Sequence, residues 1–178
     1  MKVQKIKYYR SALEITLLAI VFHACGIYSF TGASIPEGTE TFQVNYFENL
    51  AGNRPGSTIE PGLDRDFTLA LQDILINQTN LNLTNANGDL VFEGEIVEYG
   101  ITPMSATAQN TAAQNRLTIT VNVRYFNVKR EEDNYENRFS FYYDYPAEQQ
   151  LYNIKDTVHG EIFERITQDI FNASLAKW

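Results

Sequence analysis

Cysteine, histidine and positive charge are all scarce in this chain. Its single cysteine, Cys25, cannot close an internal disulfide, and an odd cysteine in an exported protein calls for its own explanation. Of the two histidines, His23 sits in the N-terminal segment, and His159 lies beside Val158 in an apolar-periodic stretch, the setting of an ordinary packed imidazole. No HExxH, CxxC, GxSxG or phosphate-loop spacing occurs, so a zinc or iron centre has no converging ligand set. Lys+Arg number 14 against 22 Asp+Glu, a net charge of -8. That balance opposes broad binding to polyanions, and a nucleic-acid partner is not expected. No apolar run approaches the roughly 20 residues that a membrane-spanning helix requires.

What is present begins at the N-terminus. Lys2, Lys5, Lys7 and Arg10 precede a mostly apolar run from Ile15 to Phe22, which ends at Ala24 and Cys25. Charge, then apolar residues, then a small residue is the pattern of a secretion signal. The lone cysteine stands where a signal peptidase would cut, so residues 1–24 read as a lipoprotein signal peptide and Cys25 as the lipid-attachment residue. Phe22 and His23 depart from the common lipobox, which leaves a relaxed version of it. The expected non-protein group is a covalent acyl/diacylglycerol lipid on Cys25, with no other cofactor. Several acyl chains at about 0.8 kcal/mol per buried methylene hold a protein firmly on a membrane. Cleavage removes four basic residues and one acidic one, leaving 10 Lys+Arg against 21 Asp+Glu, about -11. Residues 25–40, rich in Gly, Ser, Thr and Pro, read as a lipidated tether, and residues 41–178 as one domain.

Within that domain, alternation places Phe42, Val44 and Tyr46 on one face of a first strand. After a turn-rich stretch, Leu63, Phe67, Ala70, Leu71 and Ile74 recur at helical spacing, which predicts a helix over about 62–78. Leu81 and Leu83 mark a short strand, residues 85–89 a turn, and Leu90 to Thr102 a longer strand. There the apolar parity switches near Gly94 to Val97, the mark of a bulge. Residues 102–115 are small, polar and without period, a connection long enough to be functional or disordered. Leu117, Ile119, Val121, Val123 and Tyr125 then alternate with Arg116, Thr118, Thr120, Asn122 and Arg124, giving the cleanest half-buried strand. A charged turn at 129–134 closes a hairpin onto Tyr135, Phe139, Phe141, Tyr143 and Tyr145. Ile154, Val158, Ile162, Ile166 and Ile170 recur every fourth residue, predicting a second helix over about 148–176. The expected fold is α+β: a single-domain sandwich whose mostly antiparallel sheet of about four strands carries two helices on one face.

Carboxylates are the remaining place for chemistry. Glu93 with Glu95 or Glu98 on one strand would be a glycosidase-like pair, and Glu93 and Glu95 share a face with Cβ atoms about 7 Å apart. Exposed strand carboxylates more often serve solubility, and the chain is not expected to be an enzyme. Glu131, Glu132 and Asp133 lack the spaced pattern of a calcium loop and read as a solvated hairpin tip.

Several segments together resemble a known family. CGIYSFTG from Cys25, the strand from Phe42 to Phe47, LNLT from Leu81, GDLVFEGEI from Gly88, NRLTITV from Asn115 and the ending Ile162 to Trp178 are similar to the lipopolysaccharide-assembly lipoproteins of the LptE family. The resemblance implies an outer-membrane lipoprotein that plugs and supports an LptD-like barrel, with lipopolysaccharide as the transported molecule. It also implies basic residues toward that substrate; Arg116 and Arg124 share one strand face and are the nominees, with Thr118, Thr120, Asn122 and Tyr142 as further contacts to lipopolysaccharide or barrel. The alternative reading is a stand-alone outer-membrane lipoprotein that binds a glycan or another envelope protein.

Overall fold

The computed structural model describes residues 35–104 and 113–176. Cys25, the expected signal peptide, most of the expected tether, residues 105–112 of the long connection and Trp178 lie outside the described residues. The elements run β1 (Thr41–Val44), β2 (Glu48–Asn49), α1 (Leu63–Gln78), β3 (Asn82–Leu83), β4 (Leu90–Met104), β5 (Gln114–Asn127), β6 (Tyr135–Pro146) and α2 (Lys155–Leu175).

They form one sheet in the order β3-β1-β4-β5-β6, with β2 continuing beside β4. The sheet therefore has six strands and is mixed, where four mostly antiparallel strands were expected. β4, β5 and β6 are antiparallel neighbours, but β1 lies parallel to both β3 and β4, and β2 parallel to β4. The cause is α1: it carries the chain from the end of β2 back across the sheet, and a strand that follows such a crossover runs parallel to the one before it.

Register explains which side chains enter the core. Between the pairs Val44↔Phe92 and Glu48↔Glu95, three residues on one strand oppose two on the other. The extra residue reverses parity, so Phe47 rather than Tyr46 follows Phe42 and Val44 inward: Phe47 is fully buried and Tyr46 is 59% exposed. The Phe47 ring meets Phe67 of α1 edge-on at 5.1 Å. Opposite it stands Gly94, where a Cβ would run into the Asn122 carbonyl and lie 2.8 Å from the Phe47 ring. The expected bulge in β4 falls between Ile96 and Glu98. It switches the buried series from Leu90, Phe92 and Ile96 to Tyr99 while keeping Glu93, Glu95 and Glu98 on the other face.

Both helices cover the same face. α1 buries Leu63, Phe67, Leu71 and Leu75, and α2 buries Val158, Ile162, Phe163, Ile166, Ile170, Phe171 and Leu175. Phe67 and Phe163 join them edge-on at 5.5 Å. α1 spans the residues its periodicity predicts, whereas α2 begins at Lys155 rather than near 148. The turn after Pro146 and a short 3-10 helix at Leu151–Asn153 occupy the difference. β4 and β5 run further than their alternation indicates: Thr102↔Arg116, Pro103↔Asn115 and Met104↔Gln114 continue the ladder beyond the helix-covered core. Backbone pairing needs no buried side chain, so alternation stopped short of the strands' true ends.

Candidate functional site

The face of β4–β6 turned away from the helices is assembled from polar rungs. Register sets Glu93 beside Arg124, Glu95 beside Asn122 and Glu98 beside Thr120 on one side of β5. On the other side Glu136 lies beside Arg124, Arg138 beside Asn122, Ser140 beside Thr120, Tyr142 beside Thr118 and Asp144 beside Arg116. The six β5 and β6 residues singled out in the sequence for contacts are thus brought onto one surface.

Both nominated arginines already hold carboxylates. Arg116 donates from Nε and Nη2 to the two oxygens of Asp144 at 2.7 and 2.8 Å, and its guanidinium lies 3.6 Å over the Tyr142 ring. That fork raises the Arg116 pKa and holds the Asp144 carboxyl below the usual carboxylate range. Arg124 donates to Glu93 at 3.1 Å and to Glu95 at 3.0 Å, and these hydrogen bonds raise its pKa. Asn122 bridges Glu95 and Glu136 through its amide, at 2.8 Å to each. Thr120 donates to Glu98 at 2.7 Å, and Arg54 reaches the same carboxylate at 2.7 Å. Thr120 and Asn122 are 6% and 9% exposed although they face away from the helices, because longer charged neighbours close over them. Glu93 and Glu95, the candidate acid pair, do share this face, but one guanidinium engages both.

Among the described residues, no three His, Cys, Asp or Glu side chains converge in a way that could hold a metal ion, and no helix is long and apolar enough to cross a membrane. His159 is packed: its Nε2 lies 3.1 Å from the Tyr99 hydroxyl beneath α2, and burial lowers its pKa.

Glu136, Arg138, Ser140 and Asp144 of β6, and Arg54, belong to this surface but were missed in the sequence. Arg138 carries the parity of Tyr142 on β6, a signal that was there to be used. Arg54 belongs to a turn and reaches Glu98 only because β2 lies parallel to β4, which no local pattern announces.

The fold is a layered α+β domain with an open sheet face of largely paired polar side chains. The lipopolysaccharide-assembly model of the LptE family matches residues 39–174, and the chain belongs to that family. No curated protein matches it. Among solved structures it is similar to a hypothetical protein from Chlamydia trachomatis, at 12% identity and a TM-score of 0.52 over 79% of this chain and 100% of that one. It is also similar to an uncharacterized lipoprotein B from Nitrosomonas europaea, at 13% identity and a TM-score of 0.46 over 82% and 86% of the two chains. A third is the rare lipoprotein B from Shewanella oneidensis, at 12% identity and a TM-score of 0.41 over 74% and 89%. The first likeness speaks to the fold alone, and the other two are too loose to carry an argument.

Proposed function

We propose that this chain is a lipid-anchored outer-membrane subunit that plugs and supports an LptD-like barrel during lipopolysaccharide transport and insertion into the outer leaflet. Family membership supports the assembly role. The observation that carries the plug reading is the ladder on the open sheet face. Arg116 and Arg124 are matched to Asp144, Glu93 and Glu95, and the intervening Thr120 and Asn122 are hydrogen-bonded across the strands. Such a surface suits a wet barrel lumen: it needs no apolar partner and leaves few bare charges to desolvate on docking. Cys25 would carry the acyl chains that hold the domain at the membrane, and β5 with Tyr142 would face the barrel wall or its substrate.

Affinity purification of the intact lipoprotein from detergent-solubilised envelopes, followed by mass spectrometry, tests the reading. A stoichiometric LptD-like barrel is expected. A lipidated protein recovered alone would refute the plug role and turn the argument to a stand-alone binding lipoprotein.

A further inference from the structure

β6 ends the sheet with a long free edge. It pairs with β5 from Tyr135 to Pro146 without a break in register, and among the described residues no strand pairs with its other side. Ala147 donates its N–H to the Ala113 carbonyl at 3.0 Å, the next rung of that ladder. Hydrogen-bonded rungs of an antiparallel pair alternate with open ones, so the odd-numbered residues of β6 turn their N–H and C=O toward β5. Glu136, Arg138, Ser140, Tyr142 and Asp144 turn theirs outward. An edge of this length is a template for another strand unless a bulge, an internal proline or charge blunts it. β6 has no bulge, and its proline stands at the end. Its charges are Glu136, Arg138 and Asp144. Among the described ion pairs Arg138 has none, unlike Arg54, Arg65, Arg116 and Arg124. Asp144 is held by Arg116 from the β5 side only, and a carboxylate accepts more than those two bonds.

We propose that β6 pairs antiparallel with β6 of a second copy of this chain, across a two-fold axis at Phe141, so that two sheets become one. The charges select that register. With Phe141 on the axis, Arg138 stands opposite Asp144 of the second copy, twice by symmetry, and Ser140 stands opposite Tyr142. On the helix-covered face Phe139 stands opposite Tyr143. These aromatic residues pack against the core yet stay partly exposed along the edge, and pairing covers them. Centring on Ser140 would set Glu136 against Asp144, and centring on Arg138 would set that residue against itself; like charges directly opposite are destabilising. Centring on Phe139 or Tyr142 matches no charges, and centring on Asn137 pairs only the first few residues of β6. The result is an isologous contact, closed at two copies. It describes the lipoprotein free of any barrel and does not rest on the plug reading.

The test is sedimentation equilibrium of the full-length lipoprotein in density-matched detergent, between about 1 and 100 μM. A monomer–dimer equilibrium is expected. Ser140→Pro removes an outward N–H that no strand of the monomer uses, and should abolish the dimer. Arg138→Asp sets a carboxylate against Asp144 of the second copy and should weaken the dimer tenfold or more, Arg138→Lys less, and Arg165→Gln on α2 not at all. Arg138 is exposed, so circular dichroism of its variants should match that of the parent, which keeps the test open even where the proline variant fails to fold. A parent that stays monomeric throughout, or a dimer that Arg138→Asp leaves unchanged, would overturn the proposal; the latter would be held by the lipid or another surface. Co-purification of a barrel with Arg138→Asp tests the plug role separately, because this variant leaves the paired arginines intact.

Discussion

Asp89 is where the chain entering the domain is fastened, and its removal has a calculable cost. Its Oδ2 accepts the backbone N–H of Glu40 at 3.0 Å, that of Thr41 at 3.1 Å and the Thr41 hydroxyl at 2.9 Å. Oδ1 faces the Lys129 ammonium at 3.3 Å. These bonds, the Glu40 N–H first, lower the Asp89 pKa from 3.8 to about 2. A depressed carboxylate contributes stability that is complete above the unfolded value and is lost as pH falls through the folded one. The window here is therefore about pH 4 down to pH 2. At about 1.4 kcal/mol per unit the shift corresponds to about 2 kcal/mol, an upper figure because the carboxylate lies near solvent. Asp89→Ala should lose roughly that amount at pH 7. Asp89→Asn should lose about 1 kcal/mol, since an amide oxygen still accepts the two N–H groups but without charge. With a urea slope of about 2 kcal/mol per molar, the Ala variant unfolds about 1 M earlier. Urea melts followed by circular dichroism at pH 7 and at steps between pH 5 and 2.5 measure both effects. The reasoning fails if the two variants match the parent at pH 7, or if the parent's acid loss persists undiminished in Asp89→Asn.

Three further outcomes follow from the same geometry. Gly94→Ala should cost about 3 kcal/mol, because its methyl meets the Phe47 ring and the Asn122 carbonyl, and a urea midpoint unchanged from the parent would contradict that packing. Arg124→Gln leaves Glu93 and Glu95 without their shared cation and should destabilise by on the order of 1 kcal/mol at low ionic strength, less in high salt; melts at two salt concentrations decide it. Burial lowers the His159 pKa, so its contribution is complete above pH 6.5 and declines as pH falls; His159→Phe should flatten the stability profile between pH 7.5 and 5.

Much of the layer structure was legible because burial on one face writes a period into the sequence. Leu63, Phe67 and Leu71 mark α1, Ile162, Ile166 and Ile170 mark α2, and the odd-numbered apolar residues from Leu117 to Tyr125 mark β5. Strand direction carries no such record. β1 shows the same alternation whether it pairs parallel or antiparallel, and only the helix between β1 and β3 implied the crossover. Tyr46 was assigned inward because alternation was continued through an extra residue that only the pairing with β4 reveals. The β5 face was read correctly as uniform and polar, yet the partners of Arg116 and Arg124 come from β6 and β4, and which carboxylate reaches which arginine depends on register.

Net charge was the least informative property, because it is not evenly spread. The open sheet face sets Arg54, Arg116, Arg124 and Arg138 among Glu93, Glu95, Glu98, Glu136 and Asp144, a near balance. The excess acid lies elsewhere: Asp64, Asp66 and Asp73 on α1 against Arg65, and Asp156, Glu161, Glu164 and Asp169 on α2 against Lys155 and Arg165. At physiological ionic strength a charge is felt over about 8 Å, close to the thickness of one packed layer, so an anion approaching the sheet is screened from most of the helix layer. An acidic protein of this build therefore meets a polyanion without broad repulsion on one side only, and within that side attraction is concentrated where a guanidinium has no carboxylate of its own.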